Sequence, residues 1–177
     1  MPLSRIETPR LTLSALSRKE LELFLWDRVG FARDQGLVAA PRPPTEEVQA
    51  GLEWLYDVGK EYNDSERIWG SLWTVVWRPK GLFVGAFCFK GKPIEREAEL
   101  AYYMEESFQN RGIMTETLVA IIDWARRRDD VDALGAETEI SNRASQRALE
   151  SAGFHRVAHA PFTLVDSFYW RRALDDP

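Results

Sequence analysis

Apolar and polar residues change their spacing along the chain, and each change marks an element. R-L-T-L-S-A-L, Arg10 to Leu16, alternates with period two and predicts a strand. Ser17 then stands where a helix cap belongs, and Leu21, Phe24 and Leu25 fall on one helical face. Gly30 to Pro44, closing on P-R-P-P, predicts a loop. Thr45 opens a second helix, with Glu46 and Glu47 suiting the positive end of the helix dipole. Val48, Leu52, Leu55 and Tyr56 form its apolar stripe. The middle of the chain is β-rich: Ile68 to Trp77 and Gly81 to Phe89 predict two strands around a Pro79–Lys80–Gly81 turn. Gly91 to Pro93 turns the chain again, and Glu95 to Met104 alternates. Glu97, Glu99, Ala101 and Tyr103 share one face of that strand; Ala98, Leu100, Tyr102 and Met104 share the other.

The spacing then becomes helical. Leu118, Ile121, Ile122 and Ala125 make one apolar face, and Arg126 to Arg128 in the last turn suit the negative helix end. Asp132 to Ile140 predicts a strand, and Ser141 to Ala152 a short helix stopped by Gly153. His155 to Leu174 predicts two more strands. The order is strand, two helices, three strands, helix, strand, helix, strands. It predicts an α/β or α+β single domain over residues 1–177, with a mixed central sheet flanked by helices.

Composition narrows the function classes. A chain of 177 residues, 45% hydrophobic and 29% charged, can bury a sizeable core in one domain. A net charge of −5 argues against general nucleic-acid binding, which needs a basic footprint. The single cysteine, Cys88, excludes an internal disulfide and lies in the apolar run Leu82 to Phe89, where an inert buried thiol is expected rather than a nucleophile. No apolar run approaches the roughly 20 residues of a membrane helix. The N-terminal residues lack a signal-peptide pattern, so a cytoplasmic protein without a membrane partner is expected. His155 and His159, with no cysteine to pair with, predict no metal site. Trp26, Trp54, Trp69, Trp73 and Trp77 are expected mostly in the core, with one or two available to stack on a substrate.

The most informative stretch is S-F-Q-N-R-G-I-M-T-E-T-L, Ser107 to Leu118. A helix start carries unpaired N–H groups and partial positive charge, and so can hold a phosphate. No Ser, Thr or Asp directly precedes Gly112 to cap this helix, the glycine allows close approach, and Arg111 adds a cation. The chain has neither G-x-x-x-x-G-K-[ST] nor G-x-G-x-x-G, which excludes the nucleotide P-loop and the Rossmann fingerprint.

In context, this stretch resembles the pyrophosphate loop, [QR]-x-x-G-x-[GA], of the GNAT superfamily of acyl-CoA-dependent N-acetyltransferases. Gln109, Asn110, Arg111, Gly112 and Ile113 fit its first five places, while Met114 replaces the small sixth residue. R-G-I-M-T-E, Arg111 to Glu116, resembles the branch that acetylates ribosomal-protein N-termini. So do T-P-R-L-T-L from Thr8, A-E-L-A-Y from Ala98 (against E-[IL]-G-Y, with Ala101 for glycine), and N-x-x-S…G-F at Asn142, Ser145, Gly153 and Phe154. The resemblance runs from about Thr8 to Leu174.

It implies transfer of an acetyl group from acetyl-CoA to an amine, either a peptide or protein N-terminus or a small amine such as an aminoglycoside or polyamine. It also admits a non-catalytic acyl-CoA-binding module. No metal is implied, and a monomer or homodimer is expected. The implied base is Glu99, through a water, with Glu97 as second choice. Leu149 stands where many relatives have a tyrosine, so Ser145 is the implied donor to the CoA sulfur. Gln109 to Thr115, including Met114, would cradle the pyrophosphate. Asn142 would orient the cofactor or cap its helix, and the backbone around Tyr103 and Met104 would pair with pantetheine.

Overall fold

The computed structural model describes residues 3–158 and 166–175. The chain divides into two compact units, Met1–Lys92 and Pro93–Pro177.

In the first unit an antiparallel meander joins β1 (Ser4–Glu7), β2 (Leu11–Ala15), β3 (Leu72–Trp77) and β4 (Leu82–Phe89) in that order. Leu11, Leu13, Trp73 and Val75 are fully buried, and Trp73 stacks on Phe87 with centroids 5.1 Å apart. Three helices follow β2: α1 (Arg18–Trp26), α2 (Arg28–Asp34) and α3 (Glu46–Val58). Ser17 caps α1 in a full capping box, accepting from the Glu20 N–H while the Glu20 carboxylate accepts from the Ser17 N–H at 2.7 Å. Thr45 caps α3, and Leu52 and Leu55 bury its stripe.

Several expectations need correction. The predicted loop from Gly30 begins inside α2. Asp27 caps that helix by accepting from the Gly30 N–H at 2.8 Å, and Phe31 packs edge-on against Phe24 at 5.1 Å. A local cap and one aromatic anchor thus outweigh the poor helix propensity of R-V-G-F. β1 was not expected; it is a four-residue strand whose alternate residues are exposed, too short for a clear period. Ile68 to Gly70 form a 3₁₀ turn, so β3 begins at Leu72. Of the five tryptophans singled out above, Trp69 and Trp73 are buried; Trp26 and Trp54 are 58% and 54% exposed on α1 and α3, and Trp77 is half-buried.

Cys88 lies in β4, and burial pushes its thiol from 9.0 up to about 11. The folded state therefore prefers the protonated form. That preference is fully present below pH 9 and is lost as pH rises through about 11. Unfolding free energy from urea titrations should decline over that window by up to about 3 kcal/mol more in the wild type than in Cys88→Ala. Equal slopes would show that the thiol titrates as it does in water.

The second unit holds β5 (Glu97–Met104), α4 (Ile113–Ala125), β6 (Ala133–Glu139), α5 (Arg143–Ser151), β7 (His155–Val157) and β8 (Ser167–Ala173). Its strand order is β5-β6-β8-β7, with β5 and β6 parallel and the other pairs antiparallel, a mixed sheet as predicted. Ala98, Leu100, Leu134, Ala136 and Trp170 are buried, as are Leu118, Ile121, Ile122 and Ala125 of α4 and Leu149 of α5. β5 starts two residues later than its alternation suggests, because Glu95 and Arg96 turn the chain at φ 48° and 65°. The arginines predicted for the last turn of α4 lie at and beyond its C-cap. There Arg126 donates to the Leu174 carbonyl at 3.0 Å and Arg128 pairs with Asp130. Among the described residues no helix is long and apolar enough to cross a membrane.

Candidate functional site

The chain enters α4 through two left-handed residues, Asn110 at φ 57° and Gly112 at φ 69°. Gly112 is the N-cap, and no side chain accepts from the first turn. The sequence-level observation therefore holds in three dimensions: the leading N–H groups of α4 have no side-chain cap. Gln109 fixes the loop by donating from Nε2 to the Met104 carbonyl at 3.2 Å, at the end of β5. Arg111 places its guanidinium over the Phe108 ring at 5.3 Å.

This helix start opens on a cleft of about 470 Å³. β5 supplies Tyr102, Tyr103 and Met104; the loop and α4 supply Phe108, Gln109, Asn110 and Gly112 to Thr115; α5 supplies Asn142 at its cap, Ser145 and neighbours. The strands leave room for it. Parallel pairing runs only from Glu97↔Ala133 to Leu100↔Ala136, although β5 continues to Met104 and β6 to Glu139.

Asn142 caps α5, its Oδ1 accepting from the Ser145 N–H at 3.1 Å. Ser145 is half-buried, and its side chain lies in hydrogen-bonding reach of the Tyr102 phenol. Tyr102 reaches the same wall and donates to the Ser145 carbonyl at 3.4 Å; burial pushes its phenol up to about 12. Leu149 is fully buried beneath α5.

Ten of the twelve residues anticipated for the site line this cleft: Tyr103, Met104, Gln109, Asn110, Gly112, Ile113, Met114, Thr115, Asn142 and Ser145. Arg111 and Glu99 do not. Glu99 occupies the opposite face of β5 from Tyr102, as period two requires. Glu97, the second-choice base, is already engaged. Its Oε1 accepts from the Tyr169 hydroxyl at 2.8 Å and its Oε2 from Arg171 Nε at 2.7 Å. The cleft residues not anticipated include Tyr102, Phe108, Ala144, Arg147, Ala148 and Ser151. A signal for four of them was present, since 144, 147, 148 and 151 repeat at i, i+3, i+4 and i+7. Among the described residues no three His, Cys, Asp or Glu side chains form a metal-binding group; His155 lies in β7, and His159 is outside the described residues.

Comparison with known proteins places this geometry. Residues 10–155 match the family described as acetyltransferase (GNAT) domain. The uncharacterized N-acetyltransferase YjdG of Bacillus subtilis (strain 168) is 31% identical over 83 residues, 46% of this chain and 49% of that protein. The chain thus spans about half the length of that curated relative. RimL, a ribosomal L7/L12 α-N-protein acetyltransferase solved in complex with coenzyme A, superposes with a TM-score of 0.64 at 20% identity, over 98% of this chain and 100% of that one. An acetyl transferase from Salmonella typhimurium that modifies the N-terminal serine of ribosomal protein L7/L12 gives 0.63 at 20% identity, over 97% and 100%. At these identities the two solved structures share the fold.

Proposed function

The chain belongs to the acetyltransferase (GNAT) domain family, and on that premise we propose that it moves the acetyl group of acetyl-CoA to a primary amine, with a peptide or protein N-terminus as acceptor. The same reading treats residues 1–177 as one working domain in the cytoplasm. The observation that carries it is the uncapped start of α4 behind Gly112, opening on a cleft that Tyr102 and Ser145 also line.

A CoA pyrophosphate fits the residues present. Its charge suits the N–H groups and dipole of Ile113 to Thr115, and Gly112 offers no Cβ to hold it off. Acetyl-CoA supplies an acetyl thioester, already activated for transfer. Tyr103 and Met104 lie beyond the last β5–β6 pair, so their backbone can take the pantetheine arm as an added strand. Asn142 serves by holding the first turn of α5, and with it Ser145, against the cleft.

The acceptor amine must lose a proton. An α-amine with pKa near 7.7–8.0 is roughly a tenth neutral at pH 7, whereas a lysine-like amine near 10.4 is almost wholly protonated. Glu99 takes that proton, through a water. Glu97 is the poorer base because both of its oxygens already accept. Ser145 and Tyr102 are the donors that face the departing sulfur, and burial keeps the Tyr102 phenol protonated across the neutral range. The likeness to an α-N-protein acetyltransferase supports an α-amine acceptor.

The test is thiol release from acetyl-CoA with tripeptide amides, aminoglycosides and polyamines as acceptors. Fastest release with peptides is expected. Faster release with a small amine would move the acceptor to that class. Acetyl-CoA binding without release to any amine would leave an acyl-CoA-binding module.

A further inference from the structure

One face of the second unit's sheet carries a polar bridge that the reaction as described does not use. Glu97 and Glu99 share that face of β5, and Gly135 is the register partner of Glu99 on β6. Gly135 pairs in turn with Arg171 on β8, and Glu137 pairs with Tyr169. Glu97 therefore reaches across the whole width of β6 to bond Tyr169 and Arg171 on the strand beyond. It can do so only because position 135 has no side chain. A Cβ there would fall 1.9 Å from the Tyr169 hydroxyl oxygen and 2.9 Å from Glu97 Oε1. A glycine inside a strand costs stability and commonly marks such a close approach.

The bridge sets the character of the phenol. Its hydroxyl occupies the place a Cβ of residue 135 would take, next to Glu99 across a strand spacing of about 4.8 Å. Its one proton is donated to Glu97, so the oxygen can only accept from anything else. Burial, the bond to Glu97, and the charges of Glu97 and Glu99 hold the phenol well above its ordinary range, and it stays neutral. Arg171 pairs with Glu97, so Glu97 carries little net charge toward a ligand. Beside the phenol, Glu99 and Glu137 keep the face acidic.

We propose that Tyr169 is a specificity-determining residue for the acceptor: its phenol oxygen directly, and the Glu99 carboxylate through the water that later relays the proton, receive the N–H groups of the substrate's ammonium. Gly135, Glu97 and Arg171 are positioning residues that hold the phenol there. An ammonium offers three donors, and a carboxylate can accept up to about four hydrogen bonds, so the two acceptors suit one primary amine. An alcohol of the same shape lacks both the charge and the second and third donors. The seat orients the amine beside Glu99 before its proton is lost. This rests on the acetyltransferase reading, because the ligand it selects is that reaction's acceptor.

The test compares wild type, Tyr169→Phe and Gly135→Ala in steady-state acetylation of a tripeptide amide, with thiol release as the readout. Both variants should raise KM for the peptide about tenfold, leave KM for acetyl-CoA unchanged, and change kcat by less than about threefold. Tyr169→Phe with a wild-type peptide KM overturns the proposal, even if its melting temperature falls, since a bracing role alone predicts that pattern. A binding measurement on wild type alone stands beside it, using the same tripeptide amide with a hydroxyl in place of its α-amine. The amine should bind at least tenfold tighter, and equal binding overturns the seat. Wild type that acetylates the peptide while the variants behave identically refutes only the role of Tyr169. Wild type that acetylates no amine refutes the reaction, and the seat with it.

Discussion

Gly112→Val should weaken CoA binding by about 10- to 100-fold in calorimetry, with little change in the melting of the sheet. The size follows from two costs. Gly112 sits at φ 69°, a left-handed conformation in which a β-branched residue is strained by on the order of 1–3 kcal/mol. Relaxing that strain turns the first N–H groups of α4 away from their common direction. A side chain at the cap also stands between those groups and a phosphate. Each tenfold in affinity corresponds to about 1.4 kcal/mol, so the strain alone covers the lower end of the range. Unchanged CoA affinity in a folded variant would remove the α4 start as the pyrophosphate seat.

Glu99→Gln is the second large effect. Turnover should fall about 10²- to 10³-fold, while acetyl-CoA affinity stays within a factor of two or so. The amide keeps the shape and hydrogen-bonding reach of the carboxylate but cannot take a proton. Glu99 is not among the residues that line the cleft, so losing its charge leaves the cofactor's contacts in place. Wild-type turnover at pH 7 would eliminate Glu99 as the base. The two variants divide the reading cleanly: one removes binding of the acyl donor, the other the acceptor's proton transfer.

The uncapped start of α4, proposed to hold the cofactor, was legible because its geometry is local. A helix start, a glycine and a missing cap lie within six consecutive residues, Gln109 to Met114, and their geometry depends on backbone dihedrals that those residues choose themselves. Asn142 was legible as a helix cap for the same reason, whereas Ser145 was singled out only by the family resemblance. Tyr102 was not singled out, although the alternation placed it correctly, because only the packing of α5 decides that its face borders a cleft. Short or poorly formed elements were also missed. β1 is held by pairing with β2, and α2 by Asp27 and the Phe24–Phe31 contact. Neither partner is visible in the segment itself.

By itself, then, the sequence determined which residues alternate, which repeat as helices, and where a helix begins without a cap, since these follow from steric preferences within a few residues. The alternation put Glu97 and Glu99 on one strand face, and only the family resemblance ranked Glu99 first. The tertiary structure distinguishes their surroundings. It brings Tyr169 and Arg171, more than 70 residues away in the chain, across Gly135 to Glu97. That difference depends on strand order and register, which are set by burying a sheet's apolar face and are written in no single segment.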